Sequence, residues 1–219
     1  MSDKILVGIP LGSGGVPAST FEHILAAVRG YDVKAHVART ELNRNWLCQY
    51  ALQERYDRIV MLDTDHAHPP DIIGRLVAHQ VPVVAALAFN RMPTYNPMAY
   101  RRNDGHVEVL ARWDGRLERI TWVGSCAICI EVAILKRLRW PWWYYPPPKK
   151  SIMPDALKDI SRTLPSEDIG FCENCRKAKV PVFVDTSLIT PHLTEAWVTD
   201  EVYRNYNVER ILSNERAIC

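Results

Sequence analysis

Apolar residues along this chain follow two rhythms that alternate through its first half. Ile5-Leu6-Val7-Gly8-Ile9 and Ile59-Val60-Met61-Leu62 are apolar runs of strand length bounded by polar residues. Such runs mark strands buried on both faces, as in a parallel sheet. Further strands are expected over 33–37 and 81–87. Between them the period lengthens. Trp46, Leu47, Tyr50 and Ala51 recur at helical spacing, which predicts a helix over 43–55, and another is expected over 19–29. Pro69-Pro70 opens a further helix, where the fixed proline backbone angle is tolerated, and Asp71 suits its first turn. Strand and helix in alternation predict an α/β fold with a parallel sheet flanked by helices.

Beyond Phe89 the pieces shorten. Strands are expected over 98–101, 107–110, 119–123 and 126–130, then a helix over 131–138. The stretch 139–165 is rich in proline, aromatics and lysine, and is too long for a simple connector. A helix over 167–179 is expected to be capped by Ser166. Val182-Phe183-Val184 and Leu188-Ile189 read as separate short strands, His192 lies just beyond, and a helical tail is expected over 198–212.

Composition narrows the picture. A chain of 219 residues is expected to form one domain over 1–219. A formal charge of +2 supplies no overall drive towards nucleic acid or membrane, so such a partner needs a local patch. No stretch approaches the roughly 18–20 apolar residues of a membrane span. Met1-Ser2-Asp3-Lys4 leads straight into a strand without a signal-peptide pattern, which points to the cytoplasm. The cysteines read as buried thiols, although Cys126-x-x-Cys129 and Cys172-x-x-Cys175 also have the spacing of a zinc site.

The chemistry concentrates at Asp63-Thr64-Asp65, two carboxylates at the end of a buried strand. Open α/β sheets bind ligands beyond the carboxyl ends of their strands, and carboxylates there suit a hard divalent cation. Strand alternation would aim both at one ligand. Glu167-Asp168 opens a predicted helix, where acidic residues are favoured by the helix dipole, and either could also act as a general base. His192 is a candidate third metal ligand, with His66 and His68 competing. Gly12-Ser13-Gly14-Gly15 lacks the endings of a dinucleotide fingerprint or a Walker A loop, and reads as a turn whose backbone approaches a ligand. The aromatic and basic segment 136–150 reads as a partly packed lid on the acceptor side, with cations and rings that suit bases, sugars or phosphates.

Taken in order, these pieces resemble the GT-A glycosyltransferases, in particular small family-two-like enzymes of bacteriophage genomes. The resemblance runs from Lys4 to His192. It rests on Ile9-Pro10, Arg44-Asn45, Asp63-Thr64-Asp65 after its apolar strand, Pro69-Pro70-Asp71, Asn90-Arg91, Val123-Gly124-Ser125, Ser166-Glu167-Asp168-Ile169-Gly170-Phe171-Cys172 and His192. It implies a Rossmann-like nucleotide-diphospho-sugar transferase fold with a mixed, mainly parallel sheet. Residues 1–90 would bind a nucleotide-sugar, 91–195 the acceptor, and 196–219 would form the tail.

By the same resemblance, Asp65, His192 and Asp63 would hold Mn²⁺ or Mg²⁺, with Asp63 also placed to meet the ribose. Asp168 or Glu167 would deprotonate the acceptor hydroxyl. Pro10, Arg39, Arg44 and Asn45 would line the nucleotide pocket, and Arg91 would meet the diphosphate or sugar. A UDP-sugar is the first expectation for the donor and a GDP-sugar the second. Many relatives carry an acidic residue after the second strand, whereas Arg39-Thr40 stands there in this chain. The acceptor could be a modified base in phage DNA, a glycan or a protein. A sugar nucleotidyltransferase is the alternative, although its glycine-rich loop should continue into Arg rather than Val16-Pro17. A dehalogenase-type phosphatase would carry its acidic motif nearer the start of the chain. A nucleic-acid-binding protein using 136–150 is a further alternative.

Overall fold

The structure is a computed structural model that describes residues 3–103, 106–146, 166–194 and 197–205. Its first part alternates as expected: β1 (Ile5–Leu11), α1 (Ala18–Ala27), β2 (Asp32–Val37), α2 (Thr40–Gln53), β3 (Arg58–Leu62), α3 (Ile72–Ala78) and β4 (Val83–Ala88). Then come β5 (Ala99–Asn103), β6 (His106–Val109), β7 (Leu117–Ile120), β8 (Trp122–Val123) and β9 (Ala127–Glu131). After a 3-10 turn, Val132–Lys136, follow α4 (Glu167–Lys177), β10 (Val182–Thr190), β11 (His192–Leu193) and β12 (Trp197–Val198). Residues 200–205 are helical.

The central sheet has seven strands in the order β2-β1-β3-β9-β4-β10-β7. The strands β2, β1, β3, β4 and β10 run one way, while β9 and β7 run against them. The fold is thus mixed α/β, with a mainly parallel sheet flanked by helices. Every residue of β3 and β4 is buried, as their unbroken apolar runs require. Alternation divides them between two cores. Ile59 and Met61 pack with Leu47 of α2 and Phe171 of α4. Val60 and Leu62 pack with Ile24 of α1 and Ile72 and Leu76 of α3. Burial of each such side chain stabilises the fold by roughly 1.5–3 kcal/mol.

The insertion of β9 positions the site. Because β9 opposes β3 and β4, it starts where they end, and Ala127 lies across from Leu62. The preceding Ser125-Cys126 therefore arrives beside the strand-terminal carboxylates. The Asp63 amide donates to the Cys126 carbonyl at 2.7 Å.

Several expectations are corrected. The helix expected over 131–138 is only the 3-10 turn that ends β9. The expected strand 119–123 divides at Thr121, whose amide bonds Tyr100, so that β7 joins the main sheet and β8 joins β5. The two short strands expected after 182 are one strand, β10, with a register shift between Asp185 and Ile189. Ser166 makes no side-chain cap. The tail begins as β12 before its helical turn, and its expected continuation beyond 205 lies outside the described residues.

The segment 136–150, expected as a partly packed lid, is partly packed in its described part, with Trp140 and Tyr145 left exposed. Trp142 and Trp143 are buried, and Trp143 stacks on Phe171 with ring centroids 4.2 Å apart. Asn45 Nδ2 donates to the Trp143 carbonyl, and Asn45 Oδ1 accepts from the amides of Trp142 and Trp143. Asn174 Nδ2 reaches the carbonyls of Arg139, Pro141 and Trp142. Residues 147–150, with Lys149 and Lys150, lie outside the described residues.

This segment packs so closely on α4 that only glycine fits at 170. A Cβ there would collide with the Tyr144 carbonyl oxygen, whereas one at Gly14 would meet nothing within 4 Å. Gly170→Ala is expected to lower the unfolding free energy by about 1–3 kcal/mol through overpacking. Gly14→Ala should stay within about 0.5 kcal/mol, both read by denaturant unfolding.

Candidate functional site

The parallel strands converge at one end of the sheet, and the candidate residues gather there. Past Leu62 the chain turns rather than continuing as a strand. Strand alternation therefore does not set the directions of Asp63 and Asp65. They face two different sets of partners.

Asp65 faces histidines. The segment after β10 pairs with the turn: His66 bridges His192, the Leu193 amide donates to the Asp65 carbonyl at 2.8 Å, and the Ala67 amide to the Pro191 carbonyl at 2.9 Å. His192 Nδ1 donates to the Phe89 carbonyl at 2.9 Å, which leaves its Nε2 facing Asp65 Oδ2 at 3.2 Å. His66 Nδ1 lies 3.0 Å from Asp65 Oδ1, and the imidazoles of His66 and His192 stack with centroids 4.1 Å apart. Asp65, His66 and His192 each offer one ligand atom, all within 4.8 Å of one another, so this set could hold a metal ion. Burial opposes ionisation of Asp65, but its bonds to His192 and His66 prevail and hold its pKa well below the usual range. Burial lowers His66 to about 4 and His68 to about 3, keeping both imidazoles neutral. The buried Nε2 of His66 has no hydrogen-bond partner among the described residues. His68 Nε2 bonds the Asp63 carbonyl at 2.7 Å, which makes it a brace for the turn.

Asp63 faces Arg44. The guanidinium is buried, and its Nη2 donates to both Asp63 carboxylate oxygens at 2.8 and 2.9 Å. Its Nε stands 3.4 Å from Glu167 Oε1, and it lies over the Trp143 ring at 5.0 Å. Ser125 Oγ donates to Asp168 Oδ1, completing the cluster. Burial would lower Arg44, but Asp63, Asp168 and Glu167 outweigh it and raise its pKa. Burial raises Asp63, which Arg44 opposes and the other carboxylates reinforce. Burial pushes Asp168 up to about 6, Glu167 adds to this, and Arg44 and Ser125 pull it back.

The remaining expected residues fall differently. Arg91 is exposed at the rim, 3.5 Å from Asp65. Pro10 is buried in β1 beside His36. Arg39 is exposed at the start of α2, 3.4 Å from Glu41. Asn45 is buried, and its amide is occupied by the Trp142-Trp143 backbone and the Glu41 carbonyl. The glycine-rich loop does reach the site, since Thr64 Oγ1 donates to the Gly15 carbonyl at 3.3 Å and Thr20 Oγ1 to the Thr64 carbonyl at 2.5 Å. Cys126 and Cys129 lie in the core on one face of the sheet, and Cys172 and Cys175 in the core on the other. Sequence reasoning left His66 as one competitor among several and gave Ser125 no role. Only their folded neighbours single them out.

No protein-family model matches the chain, and no curated protein matches it in sequence. Among solved structures, A197 from STIV aligns with a TM-score of 0.55 at 15% identity, over 87% of this chain and 86% of that one. The chain is similar in fold to A197. A mannose-1-phosphate geranyltransferase from Thermus thermophilus aligns at 0.48 and 12% identity, over 84% and 74% of the two chains. A CMP:2-keto-3-deoxy-manno-octonic acid synthetase complexed with CTP aligns at 0.46 and 10% identity, over 97% and 99%. These last two likenesses are too distant to bear on chemistry.

Two outcomes follow from the charge cluster. Arg44→Met would leave three carboxylates around a lost cation and is expected to cost about 3–5 kcal/mol of unfolding free energy at neutral pH. Asp168 is raised from its ordinary 3.8 to about 6, so its contribution to stability is full below 3.8 and lost as pH rises through about 6. Asp168→Asn should therefore gain on the native chain as pH goes from about 4 to 7, by roughly 1–2 kcal/mol after allowance for partial exposure, measured by unfolding at each pH.

Proposed function

We propose that this chain is a metal-dependent glycosyltransferase of the GT-A type, moving a sugar from a nucleotide-diphosphate donor to an acceptor hydroxyl. The observation that carries the reading is the union of two clusters at one end of the sheet. Asp65, His66 and His192 form a donor set for a cation, and Asp63, Glu167 and Asp168 surround Arg44 beside it.

The residues fit a divalent metal. Asp65 is held ionised, His192 keeps Nε2 towards it, and His66 has a buried ring nitrogen in need of a partner. One carboxylate and two imidazoles suit Mn²⁺ better than Mg²⁺, which favours oxygen ligands. When bound, such a metal would offset negative charge on a leaving diphosphate. The chain's own groups do the rest. Arg91, exposed at the rim, would meet the diphosphate or sugar. Asp63, oriented by the Arg44 fork, would accept a hydrogen bond from a ribose hydroxyl. Asp168, held by Ser125, would be the base for the acceptor hydroxyl in an inverting reaction, its raised pKa bringing it nearer to working pH. Glu167 positions Arg44. Pro10 and Arg39 remain proposed pocket residues, whereas Asn45 is better read as a brace. A UDP-sugar is proposed as donor ahead of a GDP-sugar, and the acceptor class stays with a modified base in DNA, a glycan or a protein.

A thermal-shift panel of UDP-, GDP- and TDP-sugars with Mn²⁺ tests the donor. Saturating ligand should raise the unfolding temperature by several degrees, equivalent to about 2.7 kcal/mol at a hundredfold excess over Kd. No shift with any of them would sink the proposal. Mn²⁺ binding followed by electron paramagnetic resonance should be lost in Asp65→Ala and His192→Ala, and weakened roughly tenfold or more in His66→Ala. Asp168→Asn should keep Mn²⁺ binding and lose about 10²–10⁴ in transfer rate. Release of pyrophosphate from a nucleoside triphosphate and a sugar phosphate would instead favour the nucleotidyltransferase.

A further inference from the structure

A second site of charge lies at the opposite end of the sheet. A groove of about 640 Å³ opens between the ends of β5 and β7 and the loop from α4 into β10. It begins near Val182, the first residue of β10, whereas His192 lies just past the last. At about 3.3 Å per residue, this strand sets the two sites roughly 25 Å apart. Arg101, Arg102, Arg119, Arg176 and Lys179 line the groove, and no carboxylate does among the described residues.

Part of this charge has local duties. Arg101 pairs with Glu118 at 2.5 Å and Arg176 with Glu173 at 2.8 Å. Arg176 and Lys179 also complement the carboxyl end of α4. Among the described residues, Arg102, Arg119 and Lys179 meet no carboxylate in an ion pair. On a chain whose formal charge is only +2, five cations around one groove are a marked local excess.

The geometry points to a binding surface for the phosphate backbone of a nucleic-acid duplex. The cations come from three separate segments, β5, β7 and the end of α4 with its following loop. The lining residues that are buried, Ile120, Cys172, Val180 and Val182, supply no polar side chain to fix a single anion. That arrangement suits successive phosphates better than one. Among the described residues no aromatic side chain lines the groove to give unstacked bases a platform, which favours contact with a paired backbone over a single strand. The inference rests on charge and shape at this end of the sheet and is independent of the sugar-transfer reading. It uses a surface other than the segment 136–150.

The test is fluorescence anisotropy with a labelled duplex of about 20 base pairs, titrated with the full chain between about 50 and 200 mM salt. Native chain should bind, with affinity falling steeply as salt rises and little changed by duplex sequence. Arg102→Ala with Arg119→Ala should bind at least about tenfold more weakly at low salt. Its log–log salt slope should be shallower by about two phosphate contacts. Its unfolding temperature and Mn²⁺ binding should match the native chain, so failure of the donor panel leaves this test intact. Should the double variant unfold, Arg119→Ala and Lys179→Ala are read singly, each expected to reduce the slope by about one contact. Absence of binding by the native chain, or unchanged affinity and slope in the variants, would overturn the inference. So would displacement of the duplex by millimolar inorganic phosphate with a one-charge slope, or groove-dependent binding to anionic vesicles but not to the duplex.

Discussion

The Arg44 guanidinium is buried among Asp63, Glu167 and Asp168, and much of the site depends on it. Removal of a charge from water is costly, and this cluster tolerates the cost only because each partner offsets the other. Arg44 forks onto Asp63, reaches Glu167, and lies on Trp143. Three elements are thereby tied to one side chain: the end of β3, the start of α4 and the segment that enters the core beneath it. Burial raises Asp168, and the surplus of carboxylates over the one guanidinium, Glu167 above all, adds to this.

The metal-type cluster depends on a different constraint, the pairing of the segment after β10 with the turn after β3. Backbone bonds from Leu193 and Ala67 set that pairing, and the carbonyl of Phe89 fixes the ring of His192. A carbonyl only accepts, so Nδ1 must carry the proton, and Nε2 is presented to Asp65. The stacked His66 ring then completes a set of three. Strand ends from three parts of the chain meet here because the sheet is mainly parallel, with β9 inserted against the grain to bring Ser125 to the same place.

Much of the fold was legible in the residues. The apolar runs at 5–9 and 59–62, the spacing of Trp46, Leu47, Tyr50 and Ala51, and the proline pair at 69–70 all lead to elements that exist. Local chemistry was less reliable near Ser166 and Asn45. Ser166 has the identity of a cap but forms none, and Asn45 looked free to meet a nucleotide while the folded chain uses its whole amide. The aromatic segment was expected to be partly packed, and the structure decides which of its rings are buried. Clustered rings and cations suit a ligand or a lid, but Trp142 and Trp143 gain more from burial against Phe171 and Leu135 than from exposure.

The sequence by itself determined the alternation of strands and helices, the burial of β3 and β4, and the presence of two carboxylates at a strand end. Those follow from periodicity and from neighbours along the chain. Tertiary structure alone decided that Asp63 and Asp65 part company, that Arg44 is buried between carboxylates, and that His192 meets Asp65 across 127 positions of sequence and stacks on His66. It alone gathered five cations at the other end of the sheet. The reason is physical: strand order and register bring distant segments together through long-range pairing, and no local pattern of apolar and polar residues encodes which ends will meet.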